Sequence, residues 1–359
     1  GAITGKGNLL KQNFGTLILE GNNTISGGLS VQEGILRLDY SNNPGSKLSD
    51  TGGVALGGGR QGGVIDVVGG TSIASPIIET VAALNLGLGL NRITRSDASS
   101  TTLLRLNALE NARVGQGAAL DIAANNITQT DRLNDSTGLL GTWLTVGKSD
   151  WAKNNGTGVS PPAAGTTDGY ITGLTSYAND VWGGASTNTN LTTSGSVSNG
   201  VTNTLRFATP ADITLTLSGV NKVMSDGILQ APSVAGKSNI ITGGAISLQD
   251  NGFGGNLMIH QHDTLGNLTI ESAITDAVSF TPVTGTIYEG NVGVVSPNTA
   301  VRFKAASGAA VSTLVPGMLV TGSQIEPNTV ITAVDYTTGE VTLNQGRAAE
   351  VGITITVNG

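Results

Sequence analysis

His260 and His262 are the only histidines in 359 residues, and the chain has no cysteine. At i and i+2 on a strand, two imidazoles project to the same face. Such a pair is a partial ligand set for zinc or copper, but a closed site needs further ligands. Asp263 adjoins them, and no third ligand is identifiable by spacing. The plainer reading is a solvent-facing or stacked pair. The sequence therefore assigns no catalytic residue, no cofactor and no metal, and keeps His260 and His262 as the only metal candidates.

The other chemistry-bearing types are scattered. Asp131 with Asp135, and Glu79 with Asp66, are the carboxylate pairs that a polysaccharide hydrolase or lyase would require. Neither pair sits in a recognisable motif, and both histidines lie in one strand with no G-x-S-x-G turn to make a triad. Gly57-x-Gly59-x-x-Gly62 matches a dinucleotide fingerprint by letters. A strand, Val64 to Val68, follows where that fingerprint requires a helix N-terminus. Asp168-Gly169, Asp226-Gly227 and Asp250-Asn251-Gly252 lack calcium-loop spacing and read as turns. Trp143, Trp151 and Trp182 invite a sugar-stacking platform, but clustered large rings more often form a local core. Six N-x-S/T sequons, at Asn22, Asn126, Asn134, Asn155, Asn190 and Asn267, match the number expected by chance from 30 Asn and 74 Ser or Thr, so they carry no signal.

The elements that must position these residues are strands. Gly, Thr, Asn and Ser fill 157 of 359 positions, and all four rank low in helix propensity. Aromatics are only 4%, which argues against one thick core, while 38% hydrophobic residues argue against disorder. Net charge is −7, and no Lys or Arg cluster exists to hold nucleic acid or an anionic membrane surface. No apolar segment approaches the roughly 20 residues of a membrane-crossing helix. The start Gly1-Ala2-Ile3 reads as a processed product or an internal segment. Short bursts such as Gly15 to Gly21, Gly34 to Leu38, Gly63 to Val68 and Ala118 to Ile122 alternate apolar and polar between glycines. No helical stripe persists for three turns.

The reading is an all-β chain, a right-handed parallel β-helix or solenoid with an aromatic-containing insertion and a small C-terminal antiparallel β module. Few aromatics suit a column of Leu, Val, Ile and Ala stacked circuit on circuit. Residues 1–140 form coils, 141–203 an excursion holding all three tryptophans, and 204–279 coils again. Residues 280–359, with four of the ten prolines, form a small sandwich-like or barrel-like module.

The stretch from Gly15 to Leu38, with Gly15-Thr16-Leu17-Ile18-Leu19-Glu20-Gly21, then Asn22 to Gly27-Gly28, then Val31 and Gly34-Ile35-Leu36-Arg37-Leu38, resembles the autotransporter-associated β-strand repeat. Leu9-Leu10-Lys11 matches its usual lead-in. One clear copy is present, where the family often has several in tandem. The resemblance implies a β-helical passenger or fibre at the bacterial cell surface and carries no catalytic residue. Gly266 to Ile274 resembles a strand that normally precedes the G-T-L strand, so the end of one unit would feed the start of another. The expected partners are identical subunits or adjacent repeats, joined head to tail through Ile3, Leu9, Leu17 and Leu19 at one end and Ile353, Ile355 and Val357 at the other. Surface glycans, or a host or abiotic surface, are the expected adhesion targets. The alternatives are a carbohydrate-active β-helix, as enzyme or phage-type receptor-binding fibre, and a monomeric autotransporter passenger.

Overall fold

A computed structural model describes residues 1–59, 61–72, 76–110, 117–156, 169–248, 256–275, 283–290, 299–305, 318–322, 329, 331–335, 340–343 and 354–358. Among them the chain is all-β, with a single short 3-10 turn at Pro232–Val234 and no helix long and apolar enough to cross a membrane. The ladders of the first 275 residues are mostly parallel, consistent with the expected β-helix.

In the first stack the chain alternates between two sheets. One holds Leu9–Lys11, Leu29–Val31, Gly53–Leu56, Ile78–Leu86, Leu103–Glu110 and Thr128–Thr130. The other holds Thr16–Leu19, Gly34–Asp39, Gly63–Val68, Gly89–Thr94, Ala118–Ile122 and Leu144–Val146. Each circuit thus lays one strand in each sheet, and the first two circuits add a third parallel pair, Thr4–Gly5 against Thr24–Ile25. Period-2 alternation turns every second residue inward, and parallel register then stacks like on like. Leu17, Leu36, Ile65, Ile93, Ile122 and Val146 form one column. Leu9, Leu29, Val54, Leu84 and Leu109 form its counterpart on the facing sheet. Leu36, Ile93, Ile122 and Leu84 are fully buried, each contributing about 1.5–3 kcal/mol of apolar transfer. The narrowness of this double column is why so few rings suffice.

Corners need special backbone. Gly34 turns at φ +70°, where a Cβ would lie 2.4 Å from the Asn13 carbonyl oxygen. Only glycine adopts this without strain. The buried Lys11 ammonium closes the same corner, donating to the carbonyls of Gln12 at 2.8 Å and Glu33 at 3.0 Å.

The first stack ends in an antiparallel hairpin. Leu144–Val146 is still parallel to Ala118–Ile122, but Asp150–Asn154 and Ile171–Gly173 follow antiparallel. Parallel pairing resumes at Ala178–Asn179 against Asn188–Leu191. The second stack forms one nine-stranded sheet built around a long strand. Its strand Ile213–Gln230 runs 18 residues and pairs in succession with different strands along its length. A distinct core of Leu205, Phe207, Leu215, Ile228, Ile241 and Ile246 fills the interior.

The tryptophans do not share the one local core expected of them. Trp143 joins the first-stack core, Trp151 packs with Leu139, Leu174 and Leu229, and Trp182 lies against the second-stack core. Only Trp151 lies on a strand, and each ring packs into a different core, so proximity in sequence did not become proximity in space. The C-terminal strands form a six-stranded antiparallel sheet in which Thr354–Asn358 lies between Leu319–Gly322 and Val283–Gly290.

Candidate functional site

His260 lies on the strand Met258–Gln261, in register with Leu229, Arg206 and Asn190 on the preceding strands of the second stack. This row points away from the second core and meets the end of the first stack. His260 Nε2 stands 2.8 Å from the Thr142 carbonyl oxygen, and its ring meets Trp151 edge to face at 5.6 Å. A carbonyl only accepts, so Nε2 carries the hydrogen and donates it. His262 follows with its ring centroid 5.5 Å from that of His260. The sequence placed the two rings on one face, and the structure brings them together there.

Burial holds His260 below the usual imidazole value, with the Thr142 carbonyl and the Asp121 charge opposing. His262 is lowered to about 4, first by burial and next by the neighbouring His260. Both rings are therefore neutral at pH 7. One nitrogen of His260 is committed to Thr142, and among the described residues no group of three or more His, Cys, Asp or Glu converges to hold a metal ion. Beside the pair runs a groove of about 610 Å³ lined in part by Leu90, Ala119, Met258 and Ile259.

The rest of the seam was not legible as a site. Arg206 stacks its guanidinium over the Tyr177 ring at 4.3 Å, donates to the Ser149 carbonyl at 2.9 Å and pairs with Asp150 at 3.2 Å. Burial raises Asp150, and Arg206 acts against that rise. Thr142 Oγ1 donates to the Ser225 carbonyl at 2.8 Å. Gly227 leaves the space these groups need, since a Cβ there would lie 2.4 Å from Thr142 Cγ2 and 3.1 Å from Trp151 Cη2. Residues far apart in sequence make every one of these contacts, so no local motif announces them.

The proposed carboxylate pairs come apart into structural roles. Asp66 accepts from Arg37 Nε at 3.0 Å, Thr94 Oγ1 at 2.7 Å and both donors of Ser96. Glu79, fully buried, accepts from the Tyr40 hydroxyl, Ser46 Oγ, and the backbone N–H groups of Lys47 and Leu48. Burial and that carboxylate push the Tyr40 phenol well above its ordinary value. Asp131 pairs with Arg105 at 3.6 Å, whereas Asp135 closes a turn by accepting from Thr137 and Leu139. Trp143 and Trp151 are buried and offer no sugar platform. Asp168, Asp250, Asn251 and Gly252 lie outside the described residues.

The two candidate assembly ends are built differently. Leu9–Lys11 and Thr16–Leu19 are the terminal strands of their sheets and have a neighbour on one side only among the described residues. Leu19 is buried, Leu9 and Leu17 are half-buried, and Ile3 is exposed. At the other end Ile355 and Val357 belong to a strand already paired on both sides, and Ile353 lies outside the described residues. A further terminal circuit, paired on one side only among the described residues, is formed by Met258–Gln261, Leu268–Ile270 and Ala273–Thr275, the last two overlapping the Gly266 to Ile274 stretch from which the sequence expected the next unit to follow. It exposes Ile259 and Ile274, with Leu265 on the intervening loop.

No family model matches the chain, the motif of residues 15–38 included, and no solved structure matches it. Among curated proteins it is similar to the adhesin BmaC autotransporter of Brucella suis biovar 1 (strain 1330), with 30% identity over 227 residues. The match covers 61% of this chain but 6% of that adhesin, so the likeness is to a short stretch of a far longer autotransporter adhesin.

Proposed function

We propose that this chain is a β-helical segment of an autotransporter adhesin passenger at the bacterial cell surface, working mechanically rather than as an enzyme. The observation that carries the reading is the run of parallel ladders through two stacks, whose first circuit has strand edges unpaired among the described residues at Leu9–Lys11 and Thr16–Leu19. Similarity to an autotransporter adhesin supports the location and the role. The structural employment of Asp66, Glu79, Asp131 and Asp135 supports a mechanical role over glycan hydrolysis. In this reading the helix is right-handed, the hand favoured by strand–connection–strand units. The open edges receive a neighbouring segment or a second copy by strand addition.

Electron microscopy of the purified chain tests this. The expected particles are rods that join end to end, growing by about 4.8 Å per circuit. Rounded particles, or rods that stay separate at high concentration, would overturn the stacking. Display on a non-adherent bacterium should raise attachment to host or abiotic surfaces, and no gain would remove the adhesive role.

A further inference from the structure

We propose that the seam between the two stacks is an acid-operated release, in which protonation of His260 and His262 frees the Met258–Gln261 face from Thr142 and Trp151 while each stack stays wound. The geometry supplies three reasons. His260 is 5% exposed and its hydrogen bond crosses the seam to a backbone carbonyl. His262 sits 5.5 Å away, so two imidazolium rings would repel at close range. His262 Nε2 is itself buried with no hydrogen-bond partner among the described residues, so a proton placed there has no acceptor among them.

The charged groups around the pair do not offset this. Asp121 of the first stack attracts both rings, but it already accepts from Arg92 Nε at 3.0 Å, Thr145 Oγ1 at 3.0 Å and the Lys148 N–H at 2.7 Å. Arg92 and Lys148 repel a charged His262. Asp263, next on the chain, is committed to the N–H groups of Gly236 and Leu265. Asp150, farther along the row, is paired with Arg206.

The sign follows from linkage. The closed seam keeps His262 neutral down to about pH 4, against 6.5 for an ordinary imidazole in an opened seam. The open form therefore binds the extra proton, and closure is strongest above pH 6.5 and weakens as pH falls toward 4. Each histidine shifts the open-to-closed ratio by up to about tenfold per pH unit. The inference stands whether or not the chain is an adhesin segment.

The absence of cysteine makes the test direct. Spin labels on Thr51→Cys in the first stack and Ser196→Cys in the second report the separation by pulsed paramagnetic resonance. Between pH 7.5 and 4.5 the distances should lengthen and broaden while the far-ultraviolet circular dichroism of the strands holds. The double variant H260Q/H262N, whose glutamine amide still donates toward Thr142, should keep the pH 7.5 distances at pH 4.5. Unchanged wild-type distances, or a double variant that opens at the wild-type midpoint, overturn the proposal. Should the double variant already be open at pH 7.5, H262N alone decides. A midpoint lowered by half a pH unit or more supports the release, and an unmoved midpoint refutes it.

Discussion

Both stacks are built from parallel ladders but fill them differently. In the first, the interior columns are almost wholly aliphatic, and its carboxylates are tied at the margin by Arg37 and Arg92 or by the Tyr40–Lys47 loop. In the second, the aliphatic core is accompanied by a buried polar network. Asn203 Nδ2 donates to Asn188 Oδ1 at 2.8 Å, Ser225 Oγ donates to Asn203 at 2.6 Å, and Thr189 and Thr202 share a hydroxyl contact at 2.7 Å. Asn239 and Gln230 join in the same way at 3.0 Å. Parallel register makes both solutions repetitive, because a residue meets its counterpart one circuit away. An aliphatic column holds by contact area and accepts neighbours of similar volume. A polar network holds only while each donor finds its acceptor.

That contrast can be broken by substitution, read from urea midpoints followed by circular dichroism. Leu84→Ala in the middle of the first-stack column should cost the most, about 4 kcal/mol, because the surrounding strands cannot collapse into the void. Glu79→Ala should cost about 3 kcal/mol by stranding the donors of Tyr40, Lys47 and Leu48 in a dry loop. Asn203→Ala in the second stack should cost about 2 kcal/mol, since it leaves Ser225 Oγ without its acceptor and Asn188 Oδ1 with Thr204 Oγ1 as its remaining donor. If it costs more than Leu84→Ala, the polar network and not the column sets the stability of its stack. Arg37→Ala should cost below about 1 kcal/mol and lose that effect in high salt, because the arginine side chain remains 36% exposed beside Asp66.

The aliphatic columns were legible in the sequence because period-2 alternation is a local signal. Leu36, Leu38, Ile65, Ile93, Leu120 and Ile122 all fall on the inward phase of segments that read as strands. The long strand at the centre of the second stack was not legible as one element, since its continuity depends on pairings with strands far along the chain. Ile213–Gln230 looks in sequence like several short strands and is continuous in space. The site was legible only in half. Two imidazoles on one face could be read from their spacing, but the Thr142 carbonyl that pins one of them lies 118 residues earlier. Likewise the carboxylates looked available because their donors, such as Arg37 for Asp66, sit a whole circuit away.

The continuity of Ile213–Gln230 bears on how the chain acquires its shape. Ile213 pairs with Asn239 and Gly227 with Met258, so each new circuit closes only a short loop before it finds a template. Closure entropy rises slowly with loop length, and here it is met in small instalments. A strand that pairs with four others along its length can serve as the seed for circuits laid down on both of its sides. Folding can therefore advance as a front along the chain, circuit after circuit, even when only part of it has been delivered.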